Sequence, residues 1–133
     1  MVRRNISSGA PWEPIVGYSR AVRVGNHIHI SGTAAIDDHG AVAHPGDAAG
    51  QARRALQIML RALQDAGASA SDVVRTRIFV TDISQWEAIG RAHGEVFGEI
   101  RPATSMVEVA RLIHPDMLVE IEADAILAPE HES

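Results

Sequence analysis

The chain has 133 residues, 46% of them hydrophobic and 22% charged, with a formal charge of -5 and a pI near 5.7. That length and balance fit one folded domain with its own core, and they argue against recognition of a nucleic-acid backbone, which needs clustered cations. There is no cysteine and all 12 basic residues are arginine, so disulfides, thiolate nucleophiles, thiolate-bound metals and lysine Schiff bases have no residues to form them.

At the N-terminus, MVRRNISSG lacks the apolar run of a signal peptide. No later stretch approaches the ~20 apolar residues that span a bilayer, so the chain is expected in the cytoplasm, without membrane or nucleic acid among its partners. The opening stretch to Ile6 predicts a short edge strand. Ser7 to Pro14 predicts a loop, with Trp12 anchoring it to the domain. Arg20 to Val24 and His27 to Ser31, joined by Gly25-Asn26, predict a hairpin, because both turn residues tolerate positive φ. His27 and His29 share a face, but no third ligand stands near them; they are read as structural or exposed, and no metal is expected. Ser31-Gly32-Thr33-Ala34-Ala35 ends that strand with small residues, which permits something to approach the backbone closely. Asp37-Asp38-His39-Gly40 is turn chemistry.

Asp47 caps a helix from Ala48 to Ala66, whose stripe of Ala52, Ala55, Leu56, Met59, Leu60 and Leu63 faces a core and whose end is marked by Gly67. Val73 to Asp82 alternates as a strand. Ser84 and Glu87 suggest a capping box for a second helix running to about Phe97, with Gly98 as its stop. Its buried stripe is expected to be Trp86, Ile89, Gly90, His93, Val96 and Phe97. A glycine at position 90 costs ~1 kcal/mol relative to alanine, which predicts a close neighbour there. Met106 to Ile113 and Met117 to Leu127 then read as two strands joined by a tight turn at His114-Pro115-Asp116. In the second, Val119, Ile121, Ala123 and Ala125 alternate with Glu120, Glu122 and Asp124. The tail at 129–133 is expected to fray. The sum is one α+β domain over 1–133, a mixed sheet with two helices on one face. Apolar residues are expected on the uncovered face, whose simplest burial is against further copies of the chain, with sites in the clefts between them.

Taken together, Tyr18-Ser19-Arg20-Ala21-Val22, His29-Ile30-Ser31-Gly32, VVRTRIFVTD, PATSMVEVARL and VEIEADA resemble the RidA/YjgF family of reactive intermediate deaminases, in order and spacing from about Ile6 to Leu127. The resemblance implies a chorismate-mutase-like fold, a homotrimer with an inner sheet barrel, and three small-metabolite pockets between subunits. It also implies cofactor-independent hydrolysis of imines and enamines such as 2-aminoacrylate to a 2-keto acid and ammonia. By the same resemblance Glu120 holds or activates the attacking water, Tyr18 belongs to the pocket, and Ser31, Gly32 and Thr33 close over the ligand. Three positions depart from the pattern: Thr104 stands where the family carries its carboxylate-gripping arginine, Gly90 where deaminating members often carry asparagine, and Arg101 directly precedes Pro102. Arg101 and His93 are candidates to reshape the pocket in compensation. A trimer that binds a metabolite without turnover is the alternative reading, and a ribonuclease or translation inhibitor is a third, disfavoured by the acidic balance.

Overall fold

The computed structural model describes residues 2–128; the tail expected to fray at 129–133 lies outside the described residues. Its elements run β1 (Arg3–Ile6), α1 (Trp12–Val16), β2 (Ala21–Val24), β3 (His27–Ala34), α2 (Ala48–Asp65), β4 (Val73–Val80), α3 (Trp86–Phe97), β5 (Ala103–Glu108) and β6 (Val119–Ile126). The six strands form one sheet in the order β1-β2-β3-β6-β4-β5, with every neighbouring pair antiparallel except β4 and β5. The mixed α+β fold is as expected. On one sheet face, Ile28, Ile30, Ile78, Val80, Val119 and Ile121 are buried against Leu56, Met59 and Leu63 of α2 and Ile89 and Phe97 of α3. Each such side chain contributes about 1.5–3 kcal/mol by leaving water. Among the described residues no helix is long and apolar enough to cross a membrane.

The expected hairpin at the C-terminal end is not formed. Its first strand is Ala103–Glu108 rather than Met106 to Ile113, and it pairs in parallel with β4, with Thr76 opposite Thr104, while β6 lies between β3 and β4. A parallel pair needs a crossover, which α3 supplies. The chain then returns from the sheet edge to its centre through residues 109–118. The buried Gln51 of α2 fastens this return: its Nε2 donates to the Asp116 carbonyl at 2.8 Å, and its Oε1 accepts from the Leu118 amide at 2.8 Å.

Other corrections are local. Ser7 to Pro14 is not loop throughout, because α1 starts at Trp12; Pro14 lies in a first turn, where its missing N–H costs nothing, and Gly17 ends the helix at φ 88. No capping box forms at α3: Asp82 caps a 3-10 turn at Ile83–Gln85, its side chain accepting from the Ser84 amide, and α3 itself begins at an exposed Trp86 with Gln85 at its N-cap and no side-chain cap bond. Nothing crowds Gly90: a Cβ there would meet only Met106 Cε, at 4.0 Å. Gly98 stays right-handed, and the chain turns instead at Arg101, φ 56, whose amide donates to the Phe97 carbonyl at 2.8 Å.

The uncovered sheet face is more charged than expected. His29 Nδ1 lies 2.8 Å from Asp124, and Arg77 lies 3.3 Å from both Glu122 and Asp124. Apolar residues stand at its margins, with Val107 and Ile126 exposed.

Candidate functional site

The register of β3 on β6 breaks between Ile30 and Thr33. This bulge contains Ser31 and Gly32, and it frees their peptides from the ladder. Ser31 donates through its hydroxyl to the Ser19 carbonyl at 2.6 Å and through its amide to the Arg20 carbonyl at 2.9 Å, which joins the bulge to the entry of β2. The glycine serves Glu120: a Cβ on Gly32 would stand 2.6 Å from Glu120 Oε2 and 2.8 Å from its carboxyl carbon. Gly32→Ala is therefore expected to displace the carboxylate while the fold stands, since the clash falls on the end of a flexible side chain. If Glu120 takes part in chemistry, about 100-fold of kcat should be lost, as expected for ~1 Å of misplacement, with little change in Tm. Calorimetry and kinetics on the same preparation check both halves.

A cavity of about 610 Å³ opens on this bulge. Tyr18, Arg20, Ser31, Gly32, Thr33 and Glu120 line it together, and Trp12, Val16, Ile58, Ile113 and Met117 give it apolar walls. The volume suits a small organic ligand. Burial pushes the Glu120 carboxyl above its ordinary value; the nearby Arg20 charge opposes that shift and Glu122 adds to it.

Two buried charges brace the rim of the cavity: Arg20 lines it, and Glu13, which does not, holds the lining residues Ser8 and Ala10. Arg20 is 5% exposed, and its donors reach the Gly32 carbonyl at 2.6 Å, Thr33 Oγ1 at 2.9 Å, the Tyr18 hydroxyl at 3.2 Å and Ser8 Oγ at 3.3 Å. Glu13 accepts from the hydroxyls of Ser7 and Ser8, both at 2.8 Å, and from the amides of Ser8 and Ala10, both at 3.1 Å. Burial alone would raise the Glu13 carboxyl, but these bonds together hold it below 4.5. Glu13→Ala should therefore cost about 1.5–3 kcal/mol, the range for hydrogen bonds to a charged group. Because the folded-state pKa is depressed, this stabilisation is present above the unfolded value and is lost as pH falls through the folded one. The gap between wild type and variant should thus narrow below about pH 4.5 in urea titrations.

The remaining candidates lie elsewhere. Thr104 is opposite Thr76 and Thr76 opposite Ala123, which places Thr104 on the helix side of the sheet; Glu120, opposite Phe79, is on the other side. Within one chain the two do not meet. Thr104 donates to the Pro102 carbonyl at 3.0 Å, so in its 2.8 Å contact with Thr76 it accepts. Thr76, having donated there, must accept from His93 Nε2 at 2.9 Å. His93 is 8% exposed and tilted against Phe97 at 4.7 Å, and burial lowers its pKa. It is thus enclosed by its own helix and strands. Gly90 is on the same helix near Met106, and the exposed Arg101 donates through Nε to the Gly98 carbonyl at 3.1 Å. None of Gly90, His93, Arg101 and Thr104 lines the Glu120 cavity.

The sequence reading overlooked Arg20, Glu13 and Gln51 as builders of this region. Gln51 alone left a usable signal, standing one turn before Ala55 and two before Met59 on the buried stripe of α2.

Residues 8–127 match the family described as Endoribonuclease L-PSP. The 3-aminoacrylate deaminase RutC of Acinetobacter baylyi is 37% identical over 120 residues, covering 90% of this chain and 94% of that protein. Among solved structures, Rv2704 of Mycobacterium tuberculosis, a member of the YjgF/YER057c/UK114 family, is 52% identical with a TM-score of 0.86, covering 95% of this chain and 100% of that one. The E. coli YjgF gene product is 35% identical with a TM-score of 0.81, covering 92% and 98%. The fold is that of a small α+β protein of this kind. The chain belongs to the RidA/YjgF family.

Proposed function

We propose that this chain hydrolyses the C=N bond of small imines or enamines, without a cofactor, in pockets completed between the subunits of a homotrimer. The observation that carries this reading is the Glu120 carboxyl, raised by burial, over Gly32 in a cavity it shares with Tyr18. A carboxylate whose pKa is raised is a stronger base than an ordinary one. Glu120 takes a proton from water as the oxygen adds to the imine carbon. The same proton passes to the nitrogen and gives the neutral carbinolamine; a second proton then moves through Glu120 from the carbinolamine hydroxyl to its amine as the C–N bond breaks, so that ammonia leaves and the oxygen becomes the carbonyl. No covalent nucleophile is required, in keeping with a sequence that has neither lysine nor cysteine. The kinship with a protein named 3-aminoacrylate deaminase supports the same class of substrate.

The trimer matters because Thr104 can approach Glu120 only from a second copy. Light scattering should give three times the 14.3 kDa chain mass; a monomer at working concentration would remove that part of the proposal. For the chemistry, imines generated in situ by an amino-acid oxidase are followed for ammonia and keto-acid release above the spontaneous rate. Acceleration by the wild type that Glu120→Gln lacks supports the reading. If no imine in a panel is accelerated and mass spectrometry finds a metabolite retained unchanged, the protein is instead a cytoplasmic binding trimer.

A further inference from the structure

We infer that Arg20 is the positioning residue of this pocket, fixing the Tyr18 hydroxyl as a hydrogen-bond donor toward the cavity and locking the Gly32 peptide beneath Glu120. This deepens the functional reading above and rests on it only for its kinetic arm. A guanidinium has five N–H donors and no acceptor. Four of the five are engaged by Ser8 Oγ, the Gly32 carbonyl, Thr33 Oγ1 and the Tyr18 hydroxyl. One free donor cannot make the paired bonds by which an arginine grips a carboxylate, so Arg20 does not replace the guanidinium absent at position 104.

Its effect is exerted through its neighbours. Since Arg20 only donates, the Tyr18 oxygen accepts from it, and the single phenolic proton is left to point elsewhere. The guanidinium carbon also lies 5.3 Å from the Tyr18 ring centroid, which restrains the ring as well as its hydroxyl. On its other arm, the 2.6 Å bond to the Gly32 carbonyl immobilises the peptide over which the Glu120 carboxylate rests. One cation therefore sets both a donor and the floor under an acceptor that line the same cavity. Among the described residues no carboxylate forms an ion pair with Arg20; its charge is balanced at one remove, through Ser8, by the buried Glu13. A pocket with one fixed donor and one fixed base suits a ligand with a neutral polar C=N or C=O group rather than a second anion.

The test compares wild type with Arg20→Lys, which keeps the charge, and Arg20→Gln, which removes it, after circular dichroism has shown native folds. Two readouts need no turnover. Tyr18 is the single tyrosine, so a protein labelled with 13C at the tyrosine ring carbon bearing the hydroxyl gives one resonance, expected to move in both variants. The Glu120 carboxyl, identified in 13C-glutamate protein by the signal that Glu120→Gln loses, should titrate at higher pH in Arg20→Gln and near the wild-type midpoint in Arg20→Lys. In the kinetic arm, Tyr18→Phe should cost about tenfold more in the wild-type background than in Arg20→Lys, the size of coupling expected between groups in contact. An unmoved tyrosine resonance in both variants, an unchanged Glu120 midpoint in Arg20→Gln, or equal Tyr18→Phe losses in the two backgrounds would each overturn the inference. Shifted resonances in a protein that accelerates no imine would instead leave Arg20 in its role and remove the catalytic reading.

Discussion

Glu120→Gln is expected to lower kcat/KM for imine hydrolysis by about 10²- to 10⁴-fold, the contribution of a well-placed general base, while leaving the protein at least as stable as wild type at pH 7. The two effects have the same physical origin. The folded structure raises the Glu120 pKa, first through burial, and no hydrogen bond is among the causes. A group whose pKa is raised on folding contributes stability that is fully present below the unfolded value, near 4.5, and is lost as pH rises through the folded value. At neutral pH the ionised carboxylate thus opposes folding, and a neutral isostere removes that cost. The same ionisation supplies the base, so the wild-type rate should rise with pH through a midpoint above 4.5. A Gln variant that is both inactive and clearly less stable would mean that Glu120 holds the fold and that its loss of activity says nothing about chemistry.

Much of the fold could be read in the sequence because it follows from periodicity. The α2 stripe, the β2–β3 turn at Gly25-Asn26 and the alternation of β6 are local patterns, and each formed where it was read. The pairing of β5 is not local. The alternation read from Met106 to Ile113 says only that a strand lies in this region, starts it three residues late, and holds nothing that chooses between β6, the next strand in the chain, and β4, the one before. Burial made that choice, since β6 with four apolar side chains on one face fills the sheet centre, while β5 leaves Val107 exposed at the edge. Trp86 failed for a related reason: helical spacing places it on the Ile89 stripe, but it is the first residue of α3 and stays exposed.

The cavity divides along the same line. Glu120, Tyr18, Ser31, Gly32 and Thr33 line one cavity, around a bulge that one chain builds alone. The hydrogen-bond partners that hold them were hidden. Arg20 contacts residues up to 13 positions away. A charged residue at a strand entry, such as Arg20, looks in the sequence like any solvated arginine.

Thr104→Arg should raise kcat/KM for 2-iminopropionate by about 10- to 100-fold, because a substrate carboxylate would gain charge-assisted hydrogen bonds of the order of 1.5–3 kcal/mol. Thr104 is exposed, so a longer side chain has room to leave the sheet. The present hydroxyl spends its proton on the Pro102 carbonyl and offers a ligand no donor at all. The cost of the substitution should be small. Thr76 would lose the acceptor at 2.8 Å, but it keeps the His93 bond at 2.9 Å that fixes it from the core side. The gain is conditional on assembly, since a single chain holds position 104 and Glu120 on opposite sides of its sheet. It should therefore vanish when the protein is diluted until light scattering reports monomers, and it should be absent for imines that lack a carboxylate. If the wild type already hydrolyses 2-iminopropionate efficiently and Thr104→Ala abolishes that activity, the hydroxyl is itself the substrate contact, and the hydrogen-bond order from His93 to Pro102 must reverse when ligand enters.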